Sequence, residues 1–242
     1  MYENKKVALY TVITGNYESH IRDSNPLELM PCLDAAFVVT DMIDMKNEAE
    51  KKGWSSILIA KPGNSKKCQR KLKILQNFHE DLKVLNEYDV IIYHDGCNSL
   101  SNYSELINGI NELNNVDMVC YKHPVSNRNT SEEELRVVLK GKLISKEAYN
   151  KVRETYIKNN YPDNLGLSDT RVLIRKSDIS LKGFCEEWIN NMENTGSYRD
   201  QTFFEYAIWK SGISFKRFPN NKFPFVKKGG HHDPFRMRNN TK

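Results

Sequence analysis

The sequence predicts an α/β fold with a mixed, mostly parallel central sheet flanked by helices. Three observations carry that expectation. Short apolar runs rich in β-branched residues alternate with longer segments of helical spacing, the order that builds strand–helix–strand units. The runs are apolar at consecutive positions, as strands buried on both faces are. The length, 242 residues with 39% hydrophobic, suits one domain with one sizeable core.

Residues 7–14 form the first expected strand, ending at the turn Gly15-Asn16-Tyr17. Neither GxGxxG nor GxxxxGK[ST] is present, so a nucleotide there would be held by backbone groups and by Thr11 or Tyr17. Residues 26–34 read as loop, 35–41 as a strand ending on Asp41, 44–52 as a short charged helix and 57–60 as a strand. Residues 65–78 read as a helix with Leu72, Ile74, Leu75 and Phe78 on its apolar side and the cations Arg70, Lys71 and Lys73 between them. Those cations read equally as an ordinary solvated face.

Residues 101–114 are amphipathic, with Ser101 or Ser104 as N-cap. Residues 117–123 are a strand stopped by Pro124, which leaves His123 at its end, either exposed or reaching a site. Residues 132–159 read as two helices broken near Gly141, and residues 171–175 as a strand. Residues 178–193 are a helix that turns Leu181, Phe184, Cys185 and Trp188 inward. Asp200 stands before a helix that ends near Ser211-Gly212, placed to cap it or to point into a pocket. Residues 213–218 close the sheet. The later strands are the ones expected to run antiparallel.

Composition removes several classes. No apolar run reaches membrane-spanning length, and residues 1–6 lead into a strand without a signal region, so a cytoplasmic protein is expected. Five scattered cysteines without a CxxC pair argue against zinc fingers and disulfide frameworks. The net charge of +5 is concentrated after Tyr206, where Asp233 is the one acid among many cations. Such an end suits polyanions, a nucleotide diphosphate or peripheral contact with the inner, anionic face of a membrane. No nucleic-acid-binding motif accompanies it.

The stretch from Asp89 to Asn98 organises the rest. A buried strand, Val90-Ile91-Ile92-Tyr93, runs into His94-Asp95-Gly96. Open α/β sheets bind ligands beyond the carboxyl ends of their strands, which is where Asp95 stands. Gly96 would let the chain turn sharply and pass close to a ligand. Taken alone, Asp95-Gly96 is also an ordinary strand-to-loop turn.

Short stretches in order now resemble one family. They are Tyr10-Thr11-Val12-Ile13-Thr14-Gly15-Asn16-Tyr17, Val39-Thr40-Asp41, Gly53-Trp54, Arg70-Lys71-Leu72-Lys73-Ile74-Leu75, Tyr93-His94-Asp95-Gly96, His123-Pro124, Gly166-Leu167 with Val172-Leu173-Ile174-Arg175, and Arg199-Asp200-Gln201 with Tyr206-Ala207-Ile208-Trp209-Lys210. The set resembles a glycosyltransferase-like family long catalogued as a domain of unknown function. Its plant members are tied to cell-wall mucilage, and its bacterial members sit among polysaccharide genes. The resemblance implies a GT-A-type fold over residues 1–242, a nucleotide-sugar donor (a UDP-sugar ahead of a GDP-sugar), Mn²⁺ or Mg²⁺, and a glycan or glycolipid acceptor. It places Thr11, Gly15 and Tyr17 at the nucleotide, Asp41 at the base or ribose, and Arg70 and Lys73 at the diphosphate or sugar. Asp95 would hold the metal, with His231 or His232 from a basic tail, residues 220–242, closing over the donor. Asp200 would lie near the anomeric carbon as base or stabiliser, with His123 and Gln201 as further candidates. Many GT-A enzymes carry Asp-x-Asp where this chain has Asp95-Gly96-Cys97, so the second carboxylate is missing. That gap motivates a competing expectation, a non-catalytic carbohydrate- or nucleotide-binding module.

Overall fold

The computed structural model describes residues 5–15, 18, 20–125 and 127–227. Tyr17, His231 and His232 lie outside the described residues, as does the rest of the tail from 228 onward.

The first half alternates as its apolar runs dictate. Strand β1 (Val7–Ile13) is followed by a one-turn helix, α1 (Pro26–Leu29), inside the segment expected to be loop. Then come β2 (Ala35–Thr40), α2 (Ile43–Lys51), β3 (Ser55–Leu58) and α3 (Ser65–Leu75). Helix α3 passes into 3₁₀ turns at Gln76–Phe78 and Glu80–Glu87 before β4 (Val90–His94) and the short β5 (Asn98–Leu100). Helix α4 (Tyr103–Glu112) is capped by Asn102, whose side chain accepts from the Glu105 amide, so neither Ser101 nor Ser104 is the cap.

The second half continues with β6 (Met118–Lys122), α5 (Ser131–Lys140) and α6 (Lys146–Lys158), the last two separated near Gly141. Strand β7 (Ser168–Lys176), α7 (Lys182–Thr195), α8 (Gln201–Ser211), β8 (Phe215–Phe218) and β9 (Phe225–Lys227) complete the order. Gly196 and Gly212 end α7 and α8 in the left-handed conformation that glycine adopts without cost from a side chain.

The main sheet has the order β3-β2-β1-β4-β7-β6-β8. β7 pairs antiparallel with both β4 and β6, and the other pairings are parallel. One edge of the sheet therefore gathers the carboxyl ends of six strands and the start of β7. From β1 the chain winds outward to β2 and β3, whereas from β4 it winds the other way. The crevice between the exits of β1 and β4 is thus a topological switch point.

Each face of the sheet carries an apolar layer. Tyr10, Val12, Tyr93 and Leu173 pack with Leu72 of α3, Trp188 of α7 and Phe204 of α8. Leu9, Ile13, Ile92 and Val172 pack on the opposite face with Met45 of α2 and Leu106 and Ile110 of α4. No helix among the described residues is long and apolar enough to cross a membrane.

Two expectations change. Residues 220–227 are not loose tail: a 3₁₀ turn at Asn220–Lys222 leads into β9, which pairs antiparallel with β5 in a separate two-stranded sheet. Gly96 does not take the left-handed conformation. It is buried, and a Cβ there would meet Ile13 Cγ1 at 2.9 Å, so glycine is needed for packing.

Candidate active site at the β1–β4 crevice

Helix α3 supplies the site's cations. It starts at Asn64, whose Oδ1 accepts from the Lys67 amide at 2.9 Å. Arg70 and Lys73 lie three residues apart and share one face. That face is turned inward: Arg70 is 7% exposed and Lys73 1%, so the reading of a solvated face fails for both. The end of α3 is fixed from the sheet. Tyr10 Oη donates to the Lys73 carbonyl at 2.9 Å, and Arg175 donates to the carbonyls of Lys73 at 2.8 Å and Ile74 at 3.1 Å. A guanidinium at a helix C-terminus satisfies orphan carbonyls and complements the helix dipole.

Asp200 meets these cations from the start of α8. It holds the N-cap position, yet its own backbone is helical (φ −55°, ψ −39°) and its side chain does not cap. Instead its Oδ2 accepts from Lys73 Nζ, accepts from Thr170 Oγ1 at 3.0 Å, and lies 3.7 Å from Arg70 Nη1. Trp188 Nε1 donates to the Asp200 carbonyl at 2.8 Å and fixes the backbone. Burial works to raise the carboxyl's pKa, but the charges of Arg70, Lys73 and Arg199 outweigh it and hold the group far below the usual carboxylate range.

Asp95, just past β4, faces the same ammonium. Its Oδ1 lies 3.6 Å from Lys73 Nζ and accepts from Tyr93 Oη at 2.8 Å. Burial and the Asp95 charge push the Tyr93 phenol well above its ordinary pKa, so it stays a donor. The Lys73 ammonium also stands 4.9 Å from the Tyr93 ring centroid. The Asp95 side chain is 19% exposed, more open than either Lys73 or Asp200. The pairing of β6 with β7 slips between Val119 and Tyr121, and this irregularity lies opposite the β7 stretch that carries Thr170.

A second group sits at the exits of β1 and β2. The Gly15 amide donates to Asp41 Oδ1 at 2.9 Å, and Thr14 Oγ1 donates to the Ser65 carbonyl at 3.1 Å. Gly15 has φ +62°, and a Cβ there would stand 2.1 Å from Ser65 Oγ. The sequence-predicted residues therefore divide. Arg70, Lys73, Asp95 and Asp200 come together; Gly15 and Asp41 form a pair of their own. Thr11 joins neither: it is buried inside β1, on the face opposite Tyr10 and Val12, and its hydroxyl has no hydrogen-bond partner among the described residues. His123 and Gln201 flank the start of β7. The His123 amide donates to the Leu167 carbonyl at 2.9 Å, and Gln201 Nε2 to the Ser168 carbonyl at 3.3 Å. His123 Nδ1 accepts from the Val125 amide at 3.3 Å, which leaves the proton of the neutral ring on Nε2.

Sequence reasoning gave no site role to Thr170, Tyr93, Arg175 or Arg199. A guanidinium at the end of the apolar run Val172-Leu173-Ile174 was the available signal for Arg175, since a charge in a buried strand requires partners.

The expected metal ligands divide: Asp95 is described, and His231 and His232 lie outside the described residues. Among the described residues, no three of histidine, cysteine, aspartate and glutamate converge. Asp95, the more open carboxylate of the pair around Lys73, has that ammonium against it.

No protein-family model and no curated protein matches the chain in sequence. Solved structures do match in shape. The 4-diphosphocytidyl-2C-methyl-D-erythritol synthase of Anaerococcus prevotii superposes with a TM-score of 0.51 at 11% identity, covering 98% of each chain. The glucosyl-3-phosphoglycerate synthase of Mycobacterium tuberculosis, in complex with Mn²⁺, UDP and phosphoglyceric acid, superposes at 0.50 and 8% identity, covering 96% of this chain and 74% of that one. The fold is GT-A-like. Within this GT-A-like fold, the buried Arg70, Lys73 and Asp200 lie on the α3 side of the sheet, next to the switch-point crevice, and Asp95 stands at its mouth.

Proposed function

We propose that the chain is a glycosyltransferase that moves a sugar from a nucleoside-diphosphate donor, a UDP-sugar ahead of a GDP-sugar, to a hydroxyl of a glycan or glycolipid. One observation supports this above the rest: a buried ammonium held between two carboxylates at the switch-point crevice. The GT-A-like fold of the two neighbours, one of them in complex with UDP, is consistent with it.

The chemistry divides among the residues. The bond from C1 of the sugar to the phosphate oxygen breaks, and its electron pair stays on that oxygen. Lys73 and Arg70 meet the negative charge that grows there, from positions fixed before the reaction. The sugar becomes oxocarbenium-like, and the fixed anion Asp200 stabilises it. Asp200 is a poor proton acceptor, because a general base works best with a pKa near the working pH. The acceptor oxygen bonds to C1, and its proton passes to the departing phosphate oxygen. Acceptor and leaving group then share one face of the sugar, so the anomeric configuration is retained. In this reading Gly15 and Asp41, at the exits of β1 and β2, take the nucleoside.

The test is hydrolysis and transfer across a panel of nucleotide sugars, with the product anomer read by NMR. Turnover of one donor with retention, lost in Lys73→Met, is expected. No turnover of any donor, with nucleotide binding intact, would instead favour a non-catalytic nucleotide- or carbohydrate-binding module, the reading that the missing second carboxylate motivates.

A further inference from the structure

We infer that the groove between helix α4 and the edge strand β8 is a second binding site, built for an uncharged segment of a glycan chain. The groove lies on the α4 side of the sheet, whereas the cations of the crevice lie on the α3 side. The inference therefore goes beyond the transferase reading and does not depend on it.

The groove has a volume of about 420 Å³ and is lined by Asn108, Asn111, Glu112, Asn115, Phe218 and Lys222. That volume is within the range of ligand sites. Asn108, Asn111 and Glu112 fall on one face of α4 at helical spacing. The turn after the helix keeps Asn115 on that face, because its amide still donates to the Glu112 carbonyl, at 2.9 Å. Gly109 seats the helix close to the sheet: a Cβ there would stand 2.5 Å from Ile174 Cδ1. The opposite wall is Phe218, at the end of β8, with its ring centroid 6.1 Å from that of Tyr121. Lys222 joins it, its Nζ 5.9 Å from the Phe218 centroid.

This helix face is unlike an ordinary solvated one. The chain carries 36 lysines and arginines, yet residues 101–115 contain none and contain five asparagines. Asparagine favours caps and turns, so Asn108 and Asn111 inside α4 weaken the helix that carries them. Asn108 Nδ2 donates to Glu105 Oε2 at 3.2 Å, and Asn115 Nδ2 to Glu112 Oε1 at 3.4 Å. These bonds orient both carboxamides and leave their carbonyl oxygens to accept from a ligand. Asn111 Oδ1 is buried and has no hydrogen-bond partner among the described residues, so its carboxamide can turn to a ligand without giving up a bond there.

The chemistry of the walls selects the occupant. A carboxamide both donates and accepts, as a sugar hydroxyl does, so a row of carboxamides matches a row of hydroxyls. The half-buried Phe218 ring offers an apolar surface to the C–H face of a sugar ring. Glu112 and Lys222 cancel in charge, and one cation is too little for a polyphosphate or a nucleic acid. One aromatic ring is likewise too little for the apolar core of a protein interface.

The experiment is affinity electrophoresis of the full chain in gels containing dextran, amylose, galactomannan or mixed-linkage β-glucan, with polygalacturonate as the anionic control. Retardation by at least one neutral polymer is expected. Binding should be about tenfold weaker in Phe218→Ala, for loss of the ring, and about threefold weaker in Asn115→Ala, for loss of one hydrogen bond. Phe218 packs in part against the core, whereas Asn115 is exposed, so Asn115→Ala carries the test where Phe218→Ala unfolds; melting temperatures check both. No retardation by any neutral polymer, retardation unaltered in the folded variants, or retardation by polygalacturonate alone overturns the inference. Turnover of nucleotide sugars is read separately. Its absence beside intact polymer binding sinks the transferase reading alone, and its presence without polymer binding sinks this inference alone.

Discussion

At the scale of single residues, Asp200 is the group on which the buried cations depend. Replacing it with Asn keeps the shape and removes the charge that answers Lys73 and Arg70. Breaking a buried pair from one side typically costs about 3–5 kcal/mol, because the remaining charge is uncompensated. Chemical denaturation of Asp200→Asn should show a loss of that order, recovered in part by the double variant with Lys73→Met. The acid's titration gives a second expectation. Its folded pKa lies below the ordinary 3.8, so its stabilising effect is complete above that pH and is lost only as the pH falls toward the folded value. A pH–rate profile should therefore carry no limb from Asp200 across the neutral range; a limb that vanishes in Asp200→Asn would contradict the fixed-anion role. The sequence showed Asp200 as a cap or a pocket residue and could not decide. Its partner Lys73 stands 127 positions earlier, and pairing over that separation leaves no local pattern.

Elements show where local pattern suffices and where it does not. The strands were legible because consecutive β-branched positions demand burial on two faces, and β1, β2, β4 and β6 appear where those runs lie. Helix α3 was legible as a helix but not in its orientation. A lysine and an arginine between apolar residues read equally as a solvated face or as cations facing a ligand, and Asp200 and Asp95, brought in by other elements, meet them inside. The 3₁₀ turns at Glu80–Glu87 and the β5–β9 pair left no signal of helical or alternating period strong enough to read. The contact between the β1 exit and α3 yields a sharp test. Gly15→Ala places a methyl group against Ser65 in a conformation that L residues disfavour. The variant should lose about 1–3 kcal/mol of stability and weaken UDP binding, measured by thermal melting with and without the nucleotide. An unchanged melting temperature and affinity would remove Gly15 from the nucleoside site.

Across the whole molecule, buried imidazoles set the acid side of stability. Burial lowers the pKa of His123 below its ordinary 6.5, against the raising effect of Glu134 and Asp169, while Arg128 lowers it further. His79 and His94 are lowered by burial as well. A histidine whose folded pKa is depressed takes up more protons when unfolded, so stability falls as the pH drops below about 6.5. Melting temperatures across that window should decline, and the decline should be shallower in His123→Gln. An identical slope in the variant would mean that His123 does not titrate as its burial requires.

The pairing of β9 with β5 has a reach beyond its size. Lys227 is in register with Asn98, whose amide donates to the Asp95 carbonyl, and Phe225 stacks on the His94 ring at 5.0 Å. A segment far along the chain from β4 is thereby stitched beside the acid that follows that strand. Loosening that small sheet would free the backbone on either side of Asp95, so a change at Phe225 is expected to reach the acid without touching it.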